Sequence, residues 1–185
     1  MIDVNDLRKG VTFIYDGGLY RVLEYAHNKP GRGNATIRVK IRNLRTGSTM
    51  ERTFTSGDRV QNVRLDNRKV QDLYREGDLY YFMDVDTFEQ PVMNGKTLGD
   101  ALPYLLENLQ VDLTEFEGEA LGVELPVTVD MLVVEAEMAV RGDTATGVTK
   151  SVKTSTGLQV QVPAFVSSGD TIRVDTRTGE YLTRV

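Results

Sequence analysis

The chain has 185 residues, a net charge of −5 at pH 7 and no cysteine. The lack of cysteine excludes disulfides, thiol catalysis and cysteine metal sites, and it is typical of proteins in a reducing cytoplasm. A single histidine, His27, leaves no paired histidines for a metal site and no nucleophile–base pair. Without a signal-peptide pattern or an apolar run of about 20 residues, we predict a cytoplasmic protein with no membrane span.

The charges are divided unevenly along the chain. Residues 1–63 carry 11 Lys and Arg against 6 Asp and Glu, a net charge of +5. Residues 64–126 carry 5 against 14, a net charge of −9, and residues 127–185 carry 6 against 7, a net charge of −1. A basic end followed by an acidic middle predicts oriented binding to a polyanion through the first third of the chain.

After a short helical turn predicted around residues 4–8, the first distinctive feature is a turn between two strand-like runs. Residues 27–36 read HNKPGRGNAT and place Arg32 between Gly31 and Gly33. Glycine permits backbone angles that other residues resist, and Pro30 stiffens the approach. We therefore predict a hairpin that holds Arg32 away from its own domain, toward a recessed and negatively charged partner.

The run that follows the turn alternates strictly. Ile37, Val39 and Ile41 share one face of a predicted strand. The opposite face presents three cations, Arg38, Lys40 and Arg42. Such a row is either an ordinary solvated face or a surface that contacts phosphates. The lack of acids between Glu24 and Glu51 in the sequence favours phosphate contact.

Glycine-centred turn signals then recur at short intervals, with Val, Ile, Thr, Tyr and Phe runs between them. This pattern is typical of all-β barrels rather than βαβ units. We predict three small domains, at residues 1–63, 64–126 and 127–185. The second boundary follows Pro126, where strand character resumes, and the first marks the end of the basic composition.

One stretch has helical spacing. Five leucines recur three or four residues apart between Thr97 and Gln110 and predict an amphipathic helix there. Pro103 lies inside this stretch and predicts either a kink or a later helix start.

Several phrases of the chain, in their order and spacing, resemble bacterial elongation factor P. They are KPGRGNA at 29–35, RNL with TG at 42–47, ERTF at 51–54, YFMD with TFEQ at 81–90, and GDTIRVDTRTGEY at 169–181. The resemblance extends over nearly the whole length. It implies an all-β fold in which an N-terminal SH3-like (KOW-type) barrel precedes two OB-fold barrels, in an L-shaped arrangement that resembles tRNA.

The resemblance also implies a function. Members of the family are not enzymes. They enter the 70S ribosome between the P and E sites when peptide-bond formation stalls, chiefly at consecutive prolines. The hairpin of the first domain reaches toward the peptidyl-transferase centre, along the CCA end of the P-site peptidyl-tRNA or initiator tRNA. We therefore expect a monomer whose partners are the ribosome, P-site tRNA and ribosomal RNA.

By this resemblance, Arg32 is the loop apex, and Lys29, Pro30, Gly31 and Gly33 support it. The apex is often a modified lysine in the family, and an arginine cannot receive the lysine-directed extensions. One branch with arginine carries rhamnose there, so Arg32 is either rhamnosylated by a glycosyltransferase or bare. We expect no cofactor and no metal. Arg38, Lys40 and Arg42 are the expected contacts to tRNA or ribosomal RNA backbones.

Two further groups of residues match the third domain of the family. Gly142, Asp143 and Thr144 match a loop that faces the E-site codon and tRNA, although the same letters are also an ordinary turn. Tyr181 and Arg184 match a C-terminal motif expected to contact tRNA or the small subunit, although Tyr181 could equally pack in the core.

The sequence is also compatible with two other functions. The first is general RNA or single-strand binding by β-barrels, which usually requires clustered aromatics in a basic groove. The net charges of −9 and −1 in the last two thirds argue against it. The second is hydrolysis by paired carboxylates such as Asp84 and Asp86, which would share a strand face but have no companion base.

Overall fold

The computed structural model describes residues 1–138 and 147–185. The chain forms two compact units, of which the first comprises Met1–Asp66 and Glu115–Leu121. The second comprises Asn67–Thr114 and Gly122–Val185. The predicted division at residues 63 and 126 stays a prediction, as does the L-shaped arrangement.

The first barrel is a six-stranded sheet with the order β1-β6-β2-β3-β4-β5. Its strands are β1 (Ile2–Asp3), β2 (Thr12–Tyr15), β3 (Gly18–Asn28), β4 (Thr36–Asn43), β5 (Thr49–Thr55) and β6 (Arg59–Val63). A 3₁₀ turn, Val4–Asp6, follows β1 and is capped by the Asp3 carboxylate, which accepts the Asn5 N–H. The predicted short helical turn is therefore confirmed.

The core of the first barrel follows from the alternation in β4. Ile37, Val39 and Ile41 are fully buried, as predicted, because successive side chains of a strand point to opposite faces. They pack with Phe13 and Phe54, whose rings meet edge to face with centroids 6.3 Å apart. The cations between them are thereby directed outward.

The second sheet has five strands in the order β11-β10-β7-β8-β9. They are β7 (Asp66–Glu76), β8 (Leu79–Asp84), β9 (Val92–Asn94), β10 (Gln110–Phe116) and β11 (Glu119–Glu124). Its buried side chains include Val70, Phe82, Met93 and Leu113.

The predicted helix from Thr97 to Gln110 is wrong. A single α-helical turn, α1 (Gly95–Leu98), is followed by a 3₁₀ helix, Gly99–Tyr104, and strand character resumes at Gln110. Gly99 ends the α-helix because its φ of +51° lies in the left-handed region. Pro103 lies within the 3₁₀ helix, where it donates no backbone hydrogen bond.

The leucines of this segment serve two cores instead of one helix face. Leu98 and Leu105 are buried, whereas Leu106 and Leu109 pack against the core of the third sheet. The hydroxyl of Thr156 also donates to the Pro103 carbonyl at 2.6 Å. Most of the middle sheet therefore belongs to one compact unit with the C-terminal sheet.

The third sheet has five strands in the order β14-β13-β12-β15-β16. They are β12 (Thr128–Ala136), β13 (Thr149–Thr154), β14 (Gln159–Pro163), β15 (Thr171–Asp175) and β16 (Tyr181–Arg184). Its core includes Met131, Val162 and Ile172. With three barrel-like sheets, the all-β fold class is confirmed. None of the helices in the described ranges is long and apolar enough to span a membrane.

Candidate functional site

A long two-stranded ribbon carries the Arg32 loop. β3 and β4 pair from Tyr20 and Asn43 at one end to Asn28 and Thr36 at the other, and the loop follows that last pair. β5 supports the far end of β4, because Thr36 is also paired with Thr55. The hairpin predicted from the sequence is confirmed, with Arg32 between its two strands.

The loop itself is held by few contacts. Lys29, Pro30, Gly31, Arg32 and Gly33 are all exposed. Gly33 has a φ of +110°, which residues with a side chain rarely adopt, so the backbone conformation at this position requires glycine. Ala35 closes the loop, since its carbonyl accepts the N–H of Ser56 at 2.8 Å. Arg32 forms no ion pair with any described residue, and its guanidinium is therefore available to a partner.

The cationic row Arg38, Lys40 and Arg42 lies on the outer face of β4, as the alternation predicts. Arg38 and Arg42 are exposed, and Lys40 is half-buried. The row is less free of acids than the sequence indicated. Lys40 lies directly opposite both Glu24 on β3 and Glu51 on β5, and its ammonium lies 3.3 Å from the Glu24 carboxylate.

Two further cations of the same sheet were missed from the sequence. Arg21 on β3 lies directly opposite Arg42 on β4. Arg52 on β5 donates to the Tyr15 hydroxyl at 2.8 Å, and its guanidinium lies 4.9 Å from the centre of the Tyr15 ring. The hydrogen bond to Tyr15 raises the pKa of Arg52 above its usual value. Only the strand register reveals these neighbours, so no local sequence pattern could have found them.

The candidates of the C-terminal domain have different outcomes. Gly142, Asp143 and Thr144 lie outside the described residues. Tyr181 is half-buried and packs against the core of the third sheet. Arg184 is exposed; its guanidinium lies 5.2 Å from the centre of the Phe165 ring and 3.6 Å from the Asp170 carboxylate. The proposed contacts of these residues with RNA stay predictions.

Comparison with known proteins assigns the three barrels. Residues 3–60 match the KOW-like domain of elongation factor P, residues 65–123 its OB domain, and residues 129–184 its C-terminal domain. Over 184 residues, the chain is 47% identical to elongation factor P of Moorella thermoacetica and 50% identical to that of Thermotoga maritima. Both alignments cover 100% of each chain.

The chain belongs to the elongation factor P family. It is thus a member of a family of translation elongation factors, and the resemblance given by the sequence is confirmed. Among solved structures, it is similar to eukaryotic translation initiation factor 5A from Methanococcus jannaschii, with a TM-score of 0.55 at 23% identity. That match covers 67% of this chain and 91% of the other, and it bears on the fold alone.

The acidic pair considered for hydrolysis does not have the expected geometry in this elongation factor P family member. Asp84 ends β8, whereas Asp86 lies in the turn that follows. The Asp84 carboxylate accepts the N–H groups of Thr87 and Asp86 at 2.9 and 2.8 Å and lies 3.3 Å from Arg68. These bonds lower the pKa of Asp84 and commit it to the turn. No cluster of acids or histidine in the described ranges could hold a metal ion.

An aromatic pair on the middle sheet was also missed. Tyr74 and Tyr81 lie opposite each other on β7 and β8, and their rings stack with centroids 4.5 Å apart. Tyr74 is 53% exposed. The pair belongs to the segment with a net charge of −9, which repels nucleic acid. It therefore does not support single-strand binding by this elongation factor P family member.

Proposed function

We propose that the protein binds the 70S ribosome between the P and E sites and stimulates peptide-bond formation when consecutive prolines stall it. Membership in a family of elongation factors implies that the protein acts on the ribosome. The binding site between the P and E sites and the action at consecutive prolines follow from the resemblance of the loop motif, KPGRGNA at residues 29–35, to that of the family.

The observation that carries this proposal is the exposed loop with Arg32 at the end of the β3–β4 ribbon. A guanidinium offers five donors in a planar fork that suits phosphate or stacks on a base. Arg32 would bind the CCA end of the P-site peptidyl-tRNA, or of initiator tRNA, and hold it in a reactive geometry. Orientation of reactants is worth several kcal/mol in general.

In this mechanism the protein is not an enzyme, because it only positions the CCA end of the tRNA and contributes no acid–base group. The remaining cations bind RNA backbones. Arg38, Lys40 and Arg42 contact tRNA or ribosomal RNA through phosphates, which give affinity and orientation without reading sequence. If about four to six phosphates are neutralised, binding weakens roughly as the fourth to fifth power of salt concentration.

In the third domain, the loop with Gly142, Asp143 and Thr144 would face the E-site codon and tRNA. Tyr181 and Arg184 would contact tRNA or the small subunit. Tyr181 is half-buried and Arg184 is exposed, and an RNA contact of Arg184 would compete with its ion pair to Asp170. We propose that the factor acts in the cytoplasm as a monomer and needs no cofactor or metal.

Arg32 acts either bare or as a rhamnosylated residue. The exposure of the loop supports access by an arginine-modifying glycosyltransferase, because the enzyme would meet no packed side chains around Gly31 and Gly33. Intact-mass measurement of the loop peptide from native cells decides between the two. A mass equal to the bare sequence excludes rhamnose in that source.

The proposal is tested by synthesis of a triple-proline peptide in a reconstituted translation system. Wild type should accelerate synthesis, and Arg32→Ala should lose most of the effect. Arg32→Lys keeps the charge but loses the guanidinium fork, so an intermediate rate is expected. Arg59→Ala, which removes an exposed arginine of β6 in the same barrel and not of the loop, should behave as wild type. No acceleration by the wild type would refute the proposed function.

A further inference from the structure

A cleft of about 530 Å³ opens on the first barrel, and two arginines line it. Arg21 comes from β3, and Arg64 comes from the segment after β6. Asn62 adds an amide, and Asp6 is the carboxylate of the lining. Arg21 is half-buried, whereas Arg64 and Asn62 are exposed. The cleft therefore has an excess of positive charge and an open mouth.

The strand register adds a third cation to the same face. Arg42 lies directly opposite Arg21 in the β3–β4 pair, and directly opposite side chains point to the same side of a sheet. Like charges in this position destabilise a sheet. In the part of the chain that the structure describes, none of Arg21, Arg42 and Arg64 forms a salt bridge that would offset the repulsion.

Arg21 and Arg42 repel each other across the strand pair, and none of the three arginines forms a salt bridge with a described residue. This arrangement points to a ligand, because local rules are broken mainly at functional sites. We propose that Arg21, Arg42 and Arg64 form a binding site for a phosphodiester group of an RNA backbone. Guanidinium groups bind phosphate oxygens through two parallel hydrogen bonds, and the Asn62 amide can donate a further one.

This site is separate from the Arg32 loop. Along β4, Arg42 lies six residues from Thr36, where the loop begins, and a strand rises by about 3.3 Å per residue, so about 20 Å separate the two points. One ribbon would thus contact RNA at its tip and again near its base. The assignment of RNA rests on the proposed function, since the ribbon is the part expected to lie along tRNA and ribosomal RNA.

The test uses the full chain labelled with ¹⁵N, observed by NMR at the arginine Nε–Hε groups. The probes are a 12-base-pair RNA duplex, sodium phosphate and a glutamate decapeptide. The duplex should shift the signals of Arg21 and Arg64. Arg21→Ala and Arg64→Ala should each weaken duplex binding about threefold to tenfold, and each should lower the salt exponent by about 0.7–0.9.

Arg59→Ala is the matched control, because Arg59 is an exposed arginine of β6 that does not line the cleft. It should change duplex binding less than twofold. Equal weakening by all three variants would mean diffuse attraction and would overturn the site. Shifts with phosphate alone would indicate a small-anion site, and tighter binding of the glutamate peptide would indicate a protein partner; either result overturns the assignment to RNA.

Folding and function are separated by two further measurements. Thermal melting at low salt should show Arg21→Ala at least as stable as wild type, because the substitution relieves repulsion with Arg42. If Arg21→Ala fails to fold, the exposed Arg64→Ala still tests the site. If the wild type does not accelerate triple-proline synthesis, the proposed function fails while the NMR result for the cleft stands. If the wild type does accelerate triple-proline synthesis but the duplex shifts the NMR signals of neither Arg21 nor Arg64, this inference alone fails.

Discussion

The ammonium of Lys40 lies 3.3 Å from the carboxylate of Glu24, directly across the β3–β4 pair. A β-bulge between Val22 and Glu24 produces this neighbour relationship, because it shifts the register so that Glu24, and not Leu23, lies opposite Lys40. The middle cation of the row is therefore partly neutralised by its own sheet, whereas Arg38 and Arg42 are not.

We predict that removing this partner strengthens RNA binding. Exposed ion pairs contribute about 0–1 kcal/mol, so Glu24→Gln should leave stability nearly unchanged while freeing Lys40 for phosphate. Ribosome affinity at low salt should rise about twofold to threefold. Filter binding measures it, with Glu124→Gln as a control that removes an exposed carboxylate from the acidic segment. An equal gain for both variants would mean that only net charge matters.

The two loop glycines should respond differently to alanine. Gly33 has a φ of +110°, so Gly33→Ala strains the loop by about 1–3 kcal/mol and should displace Arg32. Gly31 lacks a positive φ, and a Cβ there would meet nothing within 4 Å. Gly31→Ala is therefore the matched control.

For Gly33→Ala, we expect stimulation of triple-proline synthesis to fall on the order of tenfold, because catalysis by positioning is sensitive to small displacements. Gly31→Ala should retain near wild-type rates. Thermal melting checks that both variants fold. Equal activity of the two variants would show that the backbone conformation at Gly33 is not needed for function.

Asp72 makes stability depend on pH. It is 6% exposed, and burial, with a smaller contribution from the nearby Glu107, raises its pKa to about 6. A raised pKa means that the folded state binds the proton more tightly than the unfolded state. The contribution of Asp72 to the free energy of unfolding is therefore fully present below about pH 4 and is lost as the pH rises through about 6.

Asp72→Asn should remove this dependence. At pH 7.5 it should stabilise the fold on the order of 1–2 kcal/mol, since water still reaches part of the carboxylate, and the gain should vanish near pH 4. Urea unfolding at both pH values measures it. Asp86→Asn, the same chemical change at an exposed turn position, should show no such pH dependence. A gain independent of pH would contradict the role given to Asp72.

Leu109 should couple the middle and C-terminal sheets. Its side chain packs against the C-terminal core, and its carbonyl accepts the Asp72 N–H at 2.9 Å. Leu109→Ala should cost about 2 kcal/mol and lower hydrogen-exchange protection equally at Val70 and Ile172. Leu182→Ala, at a 49% exposed position of the same unit, should change little. Loss of protection in one sheet alone would contradict the coupling.

The helix predicted over residues 97–110 shows where sequence periodicity misleads. The leucine spacing is real, but Leu98 and Leu105 are buried whereas Leu106 and Leu109 pack on another core. Leucines three or four residues apart predict a helix only if all of them pack on one core. A segment whose leucines pack on two cores can have the same spacing without being helical. The α-helix that the leucine spacing predicts ends instead at Gly99, where the backbone adopts a positive φ.

The sequence by itself determined the properties that depend on near neighbours. The alternation of Ile37, Val39 and Ile41 defined the buried face of β4, because the pleat sends successive side chains to opposite sides. The glycines around Arg32 defined its loop, and the phrases of the chain defined its family. Cross-strand neighbours depend instead on register, which hairpin length and bulges set. Only the tertiary structure could therefore bring Glu24 to Lys40 and place Arg21 opposite Arg42.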